Sequence, residues 1–173
     1  EQHLFGISEI SSKKKFQELE PMLGKVLEIW SNRKKGDITG VPSGFQDLDN
    51  QISGFQNSDL IVLAARPSMG KTALALNIAR NAAINNNMKL GFFSLEMSTQ
   101  QLTERLLSSE AEISSHLVRT GKLPKRDWSK LSEAANSLSQ ANIYIDDSPG
   151  LNIMELRAKA RQMKLDKNID MIL

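Results

Sequence analysis

A glycine, a lysine and a threonine stand in a row at Gly70, Lys71 and Thr72, followed by the run "ALALNIA". Such a triplet suits a polyphosphate. At a strand-to-helix turn, successive backbone N–H groups can point inward around phosphate oxygens, and the positive end of the helix dipole adds to them. Gly70 lets the backbone come close because it has no Cβ. Lys71 supplies a point charge for β- and γ-phosphates, and Thr72 offers a hydroxyl to Mg2+, a hard cation that prefers oxygen. The full pattern is Gly, four free residues, Gly, Lys, then Ser or Thr. Its register here is Ala65-Arg66-Pro67-Ser68-Met69-Gly70-Lys71-Thr72, with Ala73 next, and Ala65 stands where the pattern has its first glycine. Pro67 has no N–H, so the donors must come mainly from Ser68 to Thr72. A second candidate is Glu96 in "KLGFFSLE". A carboxylate there could orient and deprotonate a water attacking a γ-phosphate. It could equally be a solvated glutamate leading into a turn, and position alone leaves both open.

These groups need elements to hold them. "DLIVLAA", Asp59 to Ala65, is a continuous apolar run bounded by turn residues, which predicts a strand buried on both faces. From Lys71 the chain reads as a helix, with Leu74, Ile78 and the alanines at helical spacing, stopping at Asn85 to Asn87. Lys89 to Glu96 reads as a second buried strand, with Glu96 at its end. Ser98 followed by Gln101 is a capping box that opens a helix over about Thr99 to Glu110. Ser114 to Ser139 reads as helix in two pieces, broken near Gly121 to Pro124. "ANIYIDD" is a third strand, Asn152 and Glu155 cap a helix through about Lys164, and "IDMIL" begins a fourth strand. Strands alternating with helices predict an α/β fold, a parallel sheet flanked by helices. Glu96 and the Gly-Lys-Thr turn then share the carboxyl edge of that sheet, where ligands bind. Earlier, Gly36 to Phe55 reads mostly as turns with a short helix near Phe45 to Ile52.

Residues 1–36 have a different character. Glu1 to Ser12 reads as a strap. Phe16, Leu19, Met22, Leu23, Val26, Leu27 and Trp30 then fall at helical spacing, with Arg33, Lys34 and Lys35 near the C-terminus and Gly36 as a cap. Pro21 and Gly24 weaken that helix. One amphipathic helix cannot bury its stripe alone, so it must dock on the following domain, residues 37–173, or on a neighbouring chain.

The 173 residues suit one domain with an attached arm. Cysteine is absent, which excludes disulfides, thiolate metal sites and a cysteine nucleophile, and fits a cytoplasmic location. No apolar run approaches the roughly 20 residues that span a bilayer, and no secretory signal opens the chain. The net charge of +2 neither demands nor excludes nucleic acid. The start at Glu1 without an initiator Met suggests a fragment. Asp146 and Asp147, before Ser148-Pro149-Gly150, read as turn formers rather than metal ligands. His3 and His116 read as surface residues, Trp30 and Trp128 as packing anchors, Arg105 as part of a solvated face, and Lys13 to Lys15 as too short a run to argue DNA binding.

Five segments in order, "TGVPSGFQDLD", "ARPSMGKTALALNIA", "GFFSLEMS" with "QL" and Arg105 behind it, "VRTGKL" with "DW", and "IDDSPGLNIMELRAKAR", resemble the bacterial replicative DNA helicases of the DnaB type. The match runs from Gly36 onward, and the arm before it is similar to that family's linker helix. The resemblance implies a RecA-like P-loop NTPase core, truncated here, that binds ATP and Mg2+ and works as a homohexameric ring on single-stranded DNA at the replication fork, with primase and a helicase loader as partners. It makes the alanine at position 65 acceptable, Lys71 and Thr72 the phosphate and Mg2+ residues, and Glu96 the catalytic glutamate. It also implies a Walker B aspartate just beyond Leu173, later DNA-contacting loops and an arginine that reaches a neighbour's site, none of which the chain contains. Asp170 comes too early in its strand to be that aspartate. Two other readings stay open. One is a RecA-like nucleotide switch or recombination ATPase that does not unwind, and the other is an association module presenting the Phe16 to Trp30 helix.

Overall fold

The computed structural model describes residues 18–34 and 36–173. The strap over residues 1–12 with His3, the Lys13 to Lys15 run, Phe16 and Lys35 lie outside the described residues. The chain divides into two compact units, Glu1–Asp37 and Ile38–Leu173.

In the first unit the described part is helix α1, Leu19–Ser31. Pro21 does not break it. It sits in the first turn, where backbone N–H groups have no intrahelical partner to lose. Asn32 rather than Gly36 closes the helix, its N–H donating to the Glu28 carbonyl while Arg33 N–H donates to that of Trp30. None of its residues is buried, and Leu23, Leu27 and Trp30 stand mostly in the open.

The second unit begins with an antiparallel bridge between Val41 and Phe55 that closes a loop around α2, Gln46–Ile52. Asp49 on α2 is buried and its carboxylate accepts the N–H groups of Ser43 at 2.8 Å and Gly44 at 3.0 Å. Gly44 has a left-handed φ of +77°, and a Cβ there would collide with the Asn81 side chain. Helix α3, Lys71–Arg80, follows and runs into a π-helical turn, Asn81–Asn85. Next come β1 (Leu90–Phe93), α4 (Thr99–Glu110), α5 (Ser115–Arg119), a 3-10 turn (Lys125–Asp127), α6 (Trp128–Ser139), β2 (Ile143–Asp146), α7 (Ile153–Lys167) and β3 (Met171–Ile172).

The sheet has the order β2-β1-β3 and both pairings are parallel, with Leu90 opposite Ile143 on one side and Met171 on the other. Leu90 is fully buried, and with Phe92, Leu76, Ala79, Ala82, Ala83, Leu102 and Leu106 it makes the main core. The alanines on α3 and its π turn let that helix approach the sheet closely. A smaller cluster of Ala111, Ile113, Leu131 and Ala134 joins the end of α4 to α6.

Both expected capping boxes form. The Ser98 hydroxyl accepts from Gln101 N–H while the Gln101 side chain accepts from Ser98 N–H, and Asn152 and Glu155 do the same at α7. One expected strand does not form. Asp59 to Ala65 pairs with no strand among the described residues, and Leu60 and Val62 are 91% and 81% exposed. A strand exists through its ladder partners, and among the described residues this run makes one backbone bond, from Asp59 N–H to the Gln56 carbonyl. The tryptophans also differ from expectation. Trp30 and Trp128 are 62% and 59% exposed and belong to neither buried cluster.

Candidate phosphate-binding site

The turn before α3 is shaped by two left-handed residues, Ser68 at φ 63° and Gly70 at φ 86°. Gly70 is the N-cap of α3, and no side chain caps the first amides of the helix. A Cβ on Gly70 would meet nothing, so the left-handed backbone, not close contact within the protein, is what asks for glycine. Residues 65–71 and Ala73 are exposed and Thr72 is half-buried. Uncapped amides at a helix N-terminus, with a lysine and a hydroxyl beside them, are a donor set for a multiply charged anion.

Glu96 lies three residues beyond the last residue of β1, in a bend, rather than at the strand's end as expected. The bend has its own fastening. Ser94 N–H continues the β1–β2 ladder to the Asp146 carbonyl at 2.9 Å. Its hydroxyl donates to the Met97 carbonyl at 2.7 Å and accepts Met97 N–H at 3.1 Å. The Glu96 side chain is exposed.

Lys71, Thr72 and Glu96 line one cavity of about 960 Å3, together with Leu60, Ile61, Leu63, Phe92 and the Ile169 to Leu173 segment. Ala65 to Gly70 and Ala73 are not part of that lining and form the exposed turn beside it. The cavity separates the unpaired Leu60 to Leu63 run from β3, the edge strand of the sheet. Its size suits a nucleotide, and the donor set at its rim suits that nucleotide's phosphates.

The carboxylates after β2 are engaged inside the protein. Asp146 accepts from Lys159 Nζ at 2.6 Å and from Ser148 N–H at 3.0 Å. These bonds, the Lys159 one foremost, hold its carboxyl down at about 2 from the ordinary 3.8. Asp147 accepts from Thr99 N–H at 2.6 Å, and that bond, with a weaker one from the Thr99 side chain, lowers its carboxyl too. The residues alone predict turn formers here, and the bond to Thr99, which spans 48 residues, leaves no local signal. Asp170 accepts Lys89 N–H at 2.9 Å and so pins the start of β3 to the start of β1. Among the described residues no group of three or more His, Cys, Asp or Glu could hold a metal ion, and no helix is long and apolar enough to cross a membrane.

A polar chain braces α3 at its far end. Arg80 is ion-paired with Glu110 of α4, Glu110 also accepts the Ser137 hydroxyl of α6, and Arg80 donates to Asn81, whose amide reaches the Ser43 carbonyl.

The family model for the DnaB-like helicase C terminal domain matches residues 40–173. The chain belongs to that family. Among curated relatives, the replicative DNA helicase DnaB of Geobacillus stearothermophilus is 48% identical over 172 residues, 96% of this chain and 38% of its own length. The replicative DNA helicase DnaC of Bacillus subtilis is 44% identical over 172 residues with the same two coverages. This DnaB-like chain therefore spans less than two fifths of those relatives. A solved structure described as "ATPase Domain of G40P" superposes with a TM-score of 0.82 at 35% identity, over 87% of this chain and 53% of that one. A second, of a DnaB-like replicative helicase and its interactions with primase, gives 0.75 at 33% identity, over 94% of this chain and 39% of that one. The fold is the RecA-like ATPase fold of those helicases, a parallel sheet flanked by helices.

Proposed function

We propose that this DnaB-like chain carries part of the ATP-hydrolysing motor of a replicative DNA helicase. The observation that carries the reading is the single cavity shared by Lys71, Thr72 and Glu96. Ser68 to Ala73 supply amides to the triphosphate, with Ala65 to Pro67 leading the chain into the turn. Lys71 neutralises the β- and γ-phosphate oxygens, and the Thr72 hydroxyl holds Mg2+. When bound, the metal ion offsets charge that develops on the phosphate oxygens. Glu96 holds the attacking water and takes its proton on a carboxylate oxygen. The exposure of Glu96 at the sheet's carboxyl edge leaves it free for that water. In this reading the whole protein is a homohexameric ring in the cytoplasm, in which hydrolysis between subunits drives movement along single-stranded DNA at the fork. Helix α1 docks on the neighbouring subunit, and primase and a loader are the ring's partners.

Substitution separates the two roles. In the full-length protein Lys71→Ala should abolish ATP binding and turnover together. Glu96→Gln should keep nucleotide affinity within about twofold while turnover falls by about a hundredfold or more. Normal ATPase in the Lys71 variant, or equal loss of binding and turnover in the Glu96 variant, would sink the assignment. Strand displacement by the wild-type protein separates a motor from a nucleotide switch that does not unwind.

A further inference from the structure

Glu96 owes its place to the backbone around it. Among the described residues no hydrogen bond or ion pair fixes its side chain, so the bend from Ser94 to Ser98 decides where its carboxylate stands. The near end of that bend is tied to β2 through Ser94 N–H and the Asp146 carbonyl. The far end is tied to β2 as well, because Asp147 accepts the N–H of Thr99, the first residue of α4 and three positions after Glu96. Asp146 is itself held by Lys159 and Ser148, so the anchor is braced from α7. Both ends of the Glu96 bend therefore hang on consecutive residues at the carboxyl end of β2.

The geometry points to Asp147 as a positioning residue for Glu96, acting through Thr99 on the bend that carries the carboxylate. This rests on Glu96 being the base proposed above. A displacement of about 1 Å at a reacting group can cost on the order of a hundredfold in rate, whereas the phosphate-holding residues belong to α3 and its turn and do not depend on this tie. Loosening the bend should therefore slow turnover and spare affinity.

The test uses the full-length protein, with ATP turnover and the affinity for a fluorescent ADP analogue as readouts. Asp147→Ala should lower kcat about tenfold or more while ADP affinity stays within about twofold. Asp147→Asn keeps an oxygen that can accept Thr99 N–H, and should recover most of kcat. Ser94→Ala, which opens the bend from within, should repeat the loss of kcat if the Asp147 variant folds poorly. Asn152→Ala removes a comparable helix cap on α7 and serves as the control. It should cost similar stability and leave kcat alone. Wild-type kcat in both Asp147→Ala and Ser94→Ala, with Glu96→Gln inactive, would overturn the inference and leave the base assignment standing. An equal fall of kcat in Asn152→Ala would reduce Asp147 to a structural cap. Turnover that survives in Glu96→Gln would remove the base assignment and this inference with it.

Discussion

Leu60 to Leu63 and Leu90 to Phe93 are two apolar stretches, each leading within a few residues to side chains that line the same cavity. The second is a strand between two parallel neighbours, with Leu90 fully buried. The first has no strand neighbour among the described residues, and Leu60 is 91% exposed. Hydrophobicity is alike in the two, so the difference lies in hydrogen-bonding partners. An apolar run becomes a buried strand only where a ladder receives its N–H and C=O groups. The consequence for the site is an asymmetry. Glu96 hangs from a fixed edge of the sheet, while the turn before Lys71 is fixed only from behind, through α3.

That asymmetry is testable first at the core. Leu90→Ala empties a site with no room to collapse, between β2, β3 and the α3 alanines, and should cost about 2–5 kcal/mol. Leu60→Ala in the same 173-residue chain should stay within about 0.5 kcal/mol. Urea denaturation of both variants measures the contrast, and hydrogen exchange locates it, with slow amides at Gly91 to Phe93 and fast ones at Leu60 to Leu63. Equal destabilisation by the two substitutions would mean that the first run is paired after all.

A smaller effect comes from the rear brace. With the front of the Gly-Lys-Thr turn unpaired, the direction of α3 rests on its core face and on the ion pair of Arg80 with Glu110. Among the described residues Arg80→Ala leaves Glu110 with only the Ser137 hydroxyl, in a place where its side chain is 12% exposed. The loss should be about 1–2 kcal/mol, less than for a fully buried pair because the Arg80 side chain is 30% exposed. Exchange should quicken at Thr72 to Leu76 and not at Gly91 to Phe93. A uniform increase across both regions would show that α3 and the sheet open as one body, and would remove the asymmetry.

What could be read from the residues alone follows the same division between local and distant causes. The caps at Ser98 and Asn152 were legible because both partners of each box lie three residues apart. The β-α alternation predicts the parallel sheet that forms. The expected sharing of one sheet edge by two turns fails for the turn before Lys71, whose leading run does not join the sheet even though Lys71, Thr72 and Glu96 line one cavity. The π turn at Asn81 was not legible, because an extra residue in a helix turn has no compositional mark. Neither was the state of the Asp59 to Ala65 run, which depends on a ladder rather than on its own side chains. The bond from Thr99 to Asp147 and the chain from Ser43 to Arg80 join residues far apart in sequence, so only the folded chain reveals them.

The smallest effect concerns the fixed side and comes with acid. The Asp146 carboxyl titrates at about 2 in the fold against an ordinary 3.8, because Lys159 and Ser148 hydrogen-bond its ionised form. A depressed folded value means that the ionised group stabilises the fold. That contribution is complete above about pH 4 and is lost as pH falls towards 2. At neutral pH it should be modest, up to about 1 kcal/mol, since the Lys159 side chain is 37% exposed. Asp146→Asn removes this titration and leaves that of Asp147 in place. The stability difference between wild type and variant should therefore be constant from pH 7 to about 4 and shrink below it. Because the Asp147 carboxylate holds the Thr99 end of the Glu96 bend and its carboxyl is lowered too, acid should quicken exchange at Met97 to Thr99 before it touches Gly91 to Phe93. A difference that stays flat down to pH 2 would mean that Lys159 points to solvent and that β2 does not brace the bend from α7.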